Sequence, residues 1–201
     1  MTRVLLIRHG RFDGVGQKHA GRAPGTHLNA DGRGDAQRLA AMLHSVRLDA
    51  IVSSPLERTI ETAQPVAADH GLTIEVEPSL VEFDTGAWTG RTFADLDGDP
   101  LWRRFNTVRS LTPAPAGELM LAIQHRAVDV LFALRRRFPA GTVAVVSHGD
   151  VIRGVLLYAL GMPIDFHHRL DISPARVSII ELDEDSIRVL QVNGDSALPP
   201  A

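Results

Sequence analysis

The 201-residue chain contains no cysteine. That excludes a disulfide framework, a thiolate nucleophile and a cysteine metal site, and it fits a reducing cytoplasm. Net charge is nearly absent: the formal value is -3. Bulk electrostatics therefore points neither to nucleic acid nor to an anionic membrane, and any anion site has to be built locally. No apolar run approaches the ~18 residues of a membrane span. Met1-Thr2-Arg3 leads into only Val4 to Ile7 before Arg8, too short a run for the core of a signal peptide.

What is present is ordinary for a soluble globular protein: 44% hydrophobic and 22% charged residues. A chain of this length suits one domain over residues 1–201 and should bury about 70% of its unfolded surface. The tail Ala197-Leu198-Pro199-Pro200-Ala201 reads as frayed.

Continuous aliphatic runs at Val4–Ile7, Ala50–Val52 and Thr142–Ser147 suit strands buried on both faces of a parallel sheet. Thr73–Val76 is a weaker strand. Val177–Leu182 and Ile187–Val192 flank Asp183-Glu184-Asp185-Ser186 and predict a hairpin at a sheet edge. Helical spacing of apolar residues covers 32–46, 56–68, 118–138 and, wholly apolar, 151–160. Strands alternating with helices predict an α/β sheet covered on both faces. The stretch from Phe83 to Ala116, rich in Gly, Asp, Thr and Pro, reads as an irregular flap over one end of the sheet.

Ligands of open α/β sheets bind outside the carboxyl ends of the strands. Val4–Ile7 is followed by Arg8-His9-Gly10, and Val143–Val146 by Ser147-His148-Gly149. Either histidine alone could simply end a strand; the matched pair, with Arg8 beside one of them, points to chemistry. Ala50–Val52 is followed by Ser53-Ser54-Pro55-Leu56-Glu57-Arg58. Ser54 and Glu57 have capping-box spacing, and Pro55 sits at the favoured first helical position. Arg58 then lies in a first helical turn, where a cation opposes the helix dipole unless an anion sits there. On local pattern a solvated arginine is an equal reading. Glu82, among apolar neighbours, would be raised in pKa and kept protonated if buried. Taken alone, it reads better as a salt-bridged loop glutamate.

These motifs, together with Thr59, Thr62-Ala63 and Gly86-Ala87-Trp88-Thr89-Gly90, occur in an order that resembles the histidine phosphatase superfamily, also called phosphoglycerate mutase-like, over about residues 3–192. The resemblance implies a three-layer α/β/α sandwich on a mostly parallel central sheet with one antiparallel strand. It implies that His9 is the nucleophile, Arg8 and Arg58 the phosphate clamp, His148 the second histidine bonding the phosphoryl group, and Glu82 the proton donor. No cofactor and no metal is implied. Gly149 and Arg22 join the phosphate-binding set, Arg22 being equally a surface arginine. Phe12 and Val15 stand where many members carry a Thr and an Asn, which puts that phosphate contact in doubt. His27 reads as a loop histidine, with the cavity mouth as the minority reading. Trp88 should pack the flap, and Glu118 serve at most as a helix cap. His167-His168 resembles a metal pair, but adjacent side chains do not converge without special geometry.

The leading expectation is a cytoplasmic, metal-independent phosphomonoester hydrolase of histidine acid type, working through phosphohistidine on a small phosphorylated metabolite and releasing inorganic phosphate. The spacer between Glu82 and His148 is short, which favours water over a sugar acid as acceptor. Two alternatives remain: a phosphoglycerate mutase-like phosphotransferase, and a weakly active relative that binds a phosphorylated ligand. Neither nucleic acid nor membrane is an expected partner. Natural substrate and oligomeric state are not encoded in these motifs.

Overall fold

A computed structural model describes residues 1–195; the tail segment 197–201 lies outside them. In chain order come β1 (Thr2–Arg8), α1 (Ala30–Leu43), β2 (Ala50–Ser53), α2 (Glu57–His70), β3 (Ile74–Val76), α3 (Phe93–Leu96), α4 (Pro100–Thr107), α5 (Met120–Arg137), β4 (Thr142–Ser147), α6 (Gly149–Ala159), β5 (Val177–Leu182) and β6 (Ile187–Gly194). The six strands form one sheet in the order β3-β2-β4-β1-β5-β6. β1 to β4 are mutually parallel, and β5 runs against both of its neighbours. The predicted mostly parallel sheet with one reversed strand and an edge hairpin is what forms.

The aliphatic run of β1 explains why it sits inside the sheet. Successive side chains point to opposite faces. Val4 and Leu6 join the core beneath α5 and α6, whereas Leu5 and Ile7 join the core beneath α1 and α2. Each such buried side chain contributes roughly 1.5–3 kcal/mol. The continuous apolar pattern is thus the signature of a strand with helices on both sides.

Two expectations need correction. Residues 83–116 are not irregular throughout: they hold a short 3-10 turn at Gly86–Trp88 as well as α3 and α4. Thr92 and Asp95 form a reciprocal capping box that starts α3, and Asp99 caps α4 with Pro100 behind it. Trp88 is buried here, edge-on to Trp102 and to Phe105, each at 5.1 Å. The second correction concerns Ser54, which does not cap α2. That helix begins at Glu57 after Leu56 and has no side-chain cap.

The flap leaves and rejoins the sandwich through a narrow neck. The Glu118 N–H donates to the Asp84 carbonyl at 3.0 Å, and the Ala87 N–H to the Pro115 carbonyl at 2.8 Å. Gly86 makes this approach possible. Its φ is +52°, and a Cβ there would lie 2.1 Å from the Pro115 oxygen. Gly86→Ala should therefore destabilise the protein by about 1–3 kcal/mol, the usual range for overpacking, read as a lower denaturation midpoint. An unchanged midpoint would mean that the neck is not closed in this way.

Candidate active site

The register between β1 and β4 pairs Arg8 with Ser147. One residue further along, His9 and His148 emerge side by side, ring centroids 5.2 Å apart. The His9 N–H donates to the Ser147 carbonyl at 3.0 Å, extending the pairing to the site itself.

His9 is 2% exposed. Its Nδ1 lies 2.8 Å from the Gly10 carbonyl, which can only accept. Nδ1 therefore carries the hydrogen, and Nε2 keeps a free lone pair. Burial, and then the charges of Arg58 and Arg8, holds the imidazole well below its ordinary pKa, so it is neutral at physiological pH.

Arg58 projects from the first turn of α2 and is 1% exposed. Its Nη2 donates to the Gly21 carbonyl at 2.9 Å and faces His148 Nδ1 at 3.2 Å. Its Nε and Nη1 have no partner, and neither has Nε of Arg8. Neither guanidinium forms an ion pair with a carboxylate among the described residues. Phe12 offers its ring to Arg58 at 5.6 Å and lies the same distance from His9. Where many members carry a polar side chain, this chain has an aromatic face beneath the guanidinium.

His148 is fully buried. Since its Nδ1 faces a guanidinium N–H, that nitrogen accepts, and Nε2 carries the hydrogen, donating to Ser54 Oγ at 2.7 Å. Ser54 was read from sequence as a helix cap; its hydroxyl instead orients the second histidine. Burial first, then Arg58 and His9, depresses the His148 pKa well below the usual range.

Glu82 follows a short 3-10 turn rather than the end of a strand. Its backbone is pinned: the carbonyl accepts from Arg22 Nε at 2.9 Å and from Arg126 Nη2 at 3.2 Å. Its carboxyl group lies 3.8 Å from His148 Nδ1 and accepts the Phe83 N–H at 2.8 Å. Burial, reinforced by the charge of Asp150, pushes its pKa up to about 7 against the opposing pull of Arg58 and Arg8.

Arg8, His9, Arg58, Glu82 and Gly149 line one cavity of about 600 Å³. Gly149 opens α6, and a Cβ there would press within 3.4 Å of the Arg8 guanidinium. Arg22 is a correction. Its guanidinium turns to Glu118 at 2.7 Å and to the Glu82 carbonyl, so it supports the site from behind and does not line the cavity. Glu118 likewise is no cap; it receives Arg22, Arg126 and the Asp84 N–H. His27 is exposed and paired with Glu61, which raises its pKa. His167 and His168 diverge: His167 meets Asp150 at 3.0 Å, and His168 lies 3.2 Å from Arg109 and from Asn106. Phe12 and Val15 both line the cavity.

Sequence reasoning missed Ser54's role and the cavity residues Asp150, Arg153, His167 and Arg109. A signal existed for the first pair of these. A helix starting at Gly149 puts Asp150 and Arg153 on one face at i,i+3 spacing, and they pair at 3.3 Å. Arg109 comes from a distant segment and carries no local pattern, and the His167-His168 pair suggested a metal site rather than a cavity wall.

The model of the histidine phosphatase superfamily (branch 1) matches residues 4–195. The chain is 36% identical to a bifunctional protein of Mycobacterium tuberculosis over 96% of its length, but spans only about half, 54%, of that relative. It is 28% identical to phosphoserine phosphatase 1 of Hydrogenobacter thermophilus, covering 96% of this chain and 92% of that one. The crystal structure of the alpha-ribazole phosphatase from Shigella flexneri superposes with a TM-score of 0.87 at 26% identity, covering 99% of this chain and 100% of that one.

Removing the Ser54 hydroxyl would strand a buried N–H of His148. Ser54→Ala should cost about 1–3 kcal/mol of stability, the price of an unsatisfied buried donor, whereas Ser54→Thr, which keeps the hydroxyl, should retain most of it. Equal denaturation midpoints for wild type and Ser54→Ala would refute the assignment.

Proposed function

Because the chain belongs to the histidine phosphatase superfamily, we propose that it hydrolyses phosphomonoesters of small metabolites through a phosphohistidine on His9. The observation that carries this reading is a neutral imidazole with a free Nε2, buried beside two guanidinium groups that form no ion pair among the described residues.

A phosphomonoester brings about -1.5 to -2 charges near neutral pH. Arg8 and Arg58 receive its oxygens with charge-assisted hydrogen bonds through donors that otherwise have no partner. Their charge also keeps His9 unprotonated, so Nε2 can attack. In the first step a bond forms between Nε2 and phosphorus while the ester P–O bond breaks. The departing alkoxide takes its proton from Glu82, whose raised pKa keeps a large neutral fraction near pH 7. In the second step the Glu82 carboxylate takes a proton from water, the water oxygen attacks phosphorus, the P–N bond breaks and inorganic phosphate leaves. His148, held by Ser54, does not line the cavity; its Nδ1 accepts from Arg58 and lies 3.8 Å from the Glu82 carboxyl group, so it supports the guanidinium and the acid from behind. Phosphoryl transfer is chiefly positioning and charge stabilisation, which fixed arginines supply; no step calls for a metal. We assign the activity to the cytoplasm, the compartment a cysteine-free chain fits. Among the described residues no helix is long and apolar enough to cross a membrane.

Phosphate release from p-nitrophenyl phosphate in the presence of chelator should continue, and His9→Ala should abolish it together with acid-labile labelling of the protein. Undiminished turnover in His9→Ala would overturn the proposal. With 3-phosphoglycerate the product should be free phosphate, not 2-phosphoglycerate.

The pH profile follows from Glu82. It must be protonated to act as the acid in the first step, so kcat/KM on an alkyl phosphate, which reports that step from the free enzyme, should fall as pH rises through about 7. Glu82→Gln should lower kcat/KM by about 10²–10⁴-fold, the usual worth of general acid–base catalysis, and remove that limb. An unchanged profile in Glu82→Gln would reassign the proton donor.

A further inference from the structure

The proton donor sits on a stretch of chain that the sheet does not hold. Residues 81–85 belong to neither helix nor strand. Backbone groups in such a stretch need partners from elsewhere, and here side chains supply several of them. Arg126 donates to the Ser79 carbonyl, Ser147 Oγ donates to the Leu80 carbonyl at 2.8 Å, and Arg22 and Arg126 share the Glu82 carbonyl at 2.9 and 3.2 Å. The carboxyl group of Glu82 is held more lightly. It accepts the Phe83 N–H at 2.8 Å, lies 3.8 Å from His148 Nδ1, and forms no ion pair with an arginine among the described residues. The place of that carboxyl group is therefore set by the backbone that carries it.

One atom gathers these supports. Glu118 Oε2 lies 2.7 Å from Arg22 Nη2 and 3.3 Å from Arg126 Nη2, and it accepts the Asp84 N–H at 3.0 Å. The Glu118 N–H returns a bond to the Asp84 carbonyl, also at 3.0 Å. Asp84 itself is farther from Arg22, at 3.8 Å. Arg22 comes from the connection between β1 and α1, and Arg126 from within α5. A guanidinium is a rigid fork on a flexible stem, so a carboxylate shared by two of them fixes both forks against the Glu82 carbonyl. Glu118, Arg22 and Arg126 all stand outside the wall of the cavity, so they reach the reaction only through Glu82.

We propose that Glu118 is the positioning residue of the proton donor: by anchoring Arg22, Arg126 and the Asp84 N–H on one oxygen, it sets where the Glu82 carboxyl group meets the leaving group. This rests on the phosphatase reading of the cavity. A displacement of about 1 Å in a reacting group costs about 10²-fold in rate. The cost depends on the ester. An alkoxide leaves only with a proton, whereas p-nitrophenolate leaves as a stable anion. Displacing Glu82 should therefore slow esters of basic alcohols and spare esters of acidic phenols. General damage to the fold or to the phosphate clamp would slow both alike.

A series of phosphomonoesters graded from p-nitrophenyl to alkyl is assayed for kcat/KM, which reports the step that breaks the ester bond. Glu118→Ala should lower the alkyl values by about 10- to 10²-fold and the p-nitrophenyl value by less than about threefold, so that the loss grows with leaving-group basicity. Glu118→Gln, which keeps an oxygen at the junction, should recover part of the alkyl rate. In Glu82→Gln protein, which has no acid to position, adding Glu118→Ala should leave the dependence on leaving group unaltered. A loss equal for all esters, no loss, or a graded loss that persists in the double variant would overturn the proposal. If Glu118→Ala fails to fold, as thermal unfolding would reveal, Arg22→Gln takes its place, since the Arg22 side chain is 34% exposed. It should show the same graded defect in smaller measure, and a uniform or absent defect there counts equally against the proposal. Failure of the phosphatase reading looks different: the unaltered chain then releases no phosphate from any ester of the series.

Discussion

The parallel pairing of β1 with β4 is the constraint on which the rest of the site depends. Its register sets Arg8 opposite Ser147 and so brings two imidazoles, 139 positions apart in sequence, to the same sheet edge. A slip of one residue would send every side chain of β1 to the other face. Leu5 and Ile7 on one side, Val4 and Leu6 on the other, are packed into separate cores and forbid that slip. Hydrophobic sorting inside the sheet is therefore what aligns polar groups at its rim.

Around that rim, burial and charge act in opposite directions on neighbouring groups. The same arginines that hold both histidines neutral also draw Glu82 toward its charged form, yet burial and Asp150 prevail there. Neutral base and neutral acid thus coexist within one cationic pocket. The arginines can serve a phosphoryl group because their own counter-charges are withheld. Of the carboxylates whose charge reaches them, Asp150 is engaged by His167 and Arg153, and Glu57 accepts the Gly25 N–H.

Much of this was legible before any coordinates. The aliphatic runs marked the buried strands, and the two His-Gly pairs marked the edge where they end. Arg58 was ambiguous by itself, because a first-turn arginine suits solvent as well as an anion. Other features were hidden for physical reasons. Ser54 satisfied a capping pattern, yet a hydroxyl goes to whichever partner is buried and otherwise unsatisfied, and here that is His148. Arg22 stood at a promising position in sequence, but Glu118, just before α5, captures it. The flap lacked an apolar period because α3 and α4 are short and held by caps and aromatic contacts.

The neck at Asp84–Gly86 and Pro115–Gly117 has a wider meaning. Phe93, Trp102, Asn106 and Arg109 all lie inside the segment it closes off, whereas Arg8, His9, Arg58, Glu82 and His148 all lie outside. One part of the cavity wall is thereby housed in a stretch of chain separate from the strand ends, while Phe12, Val15, Asp150 and His167 supply the rest. Residues beyond that clasp could be lengthened, shortened or rewritten, reshaping one wall of the cavity, without disturbing the strand pairing that sets His9 beside His148.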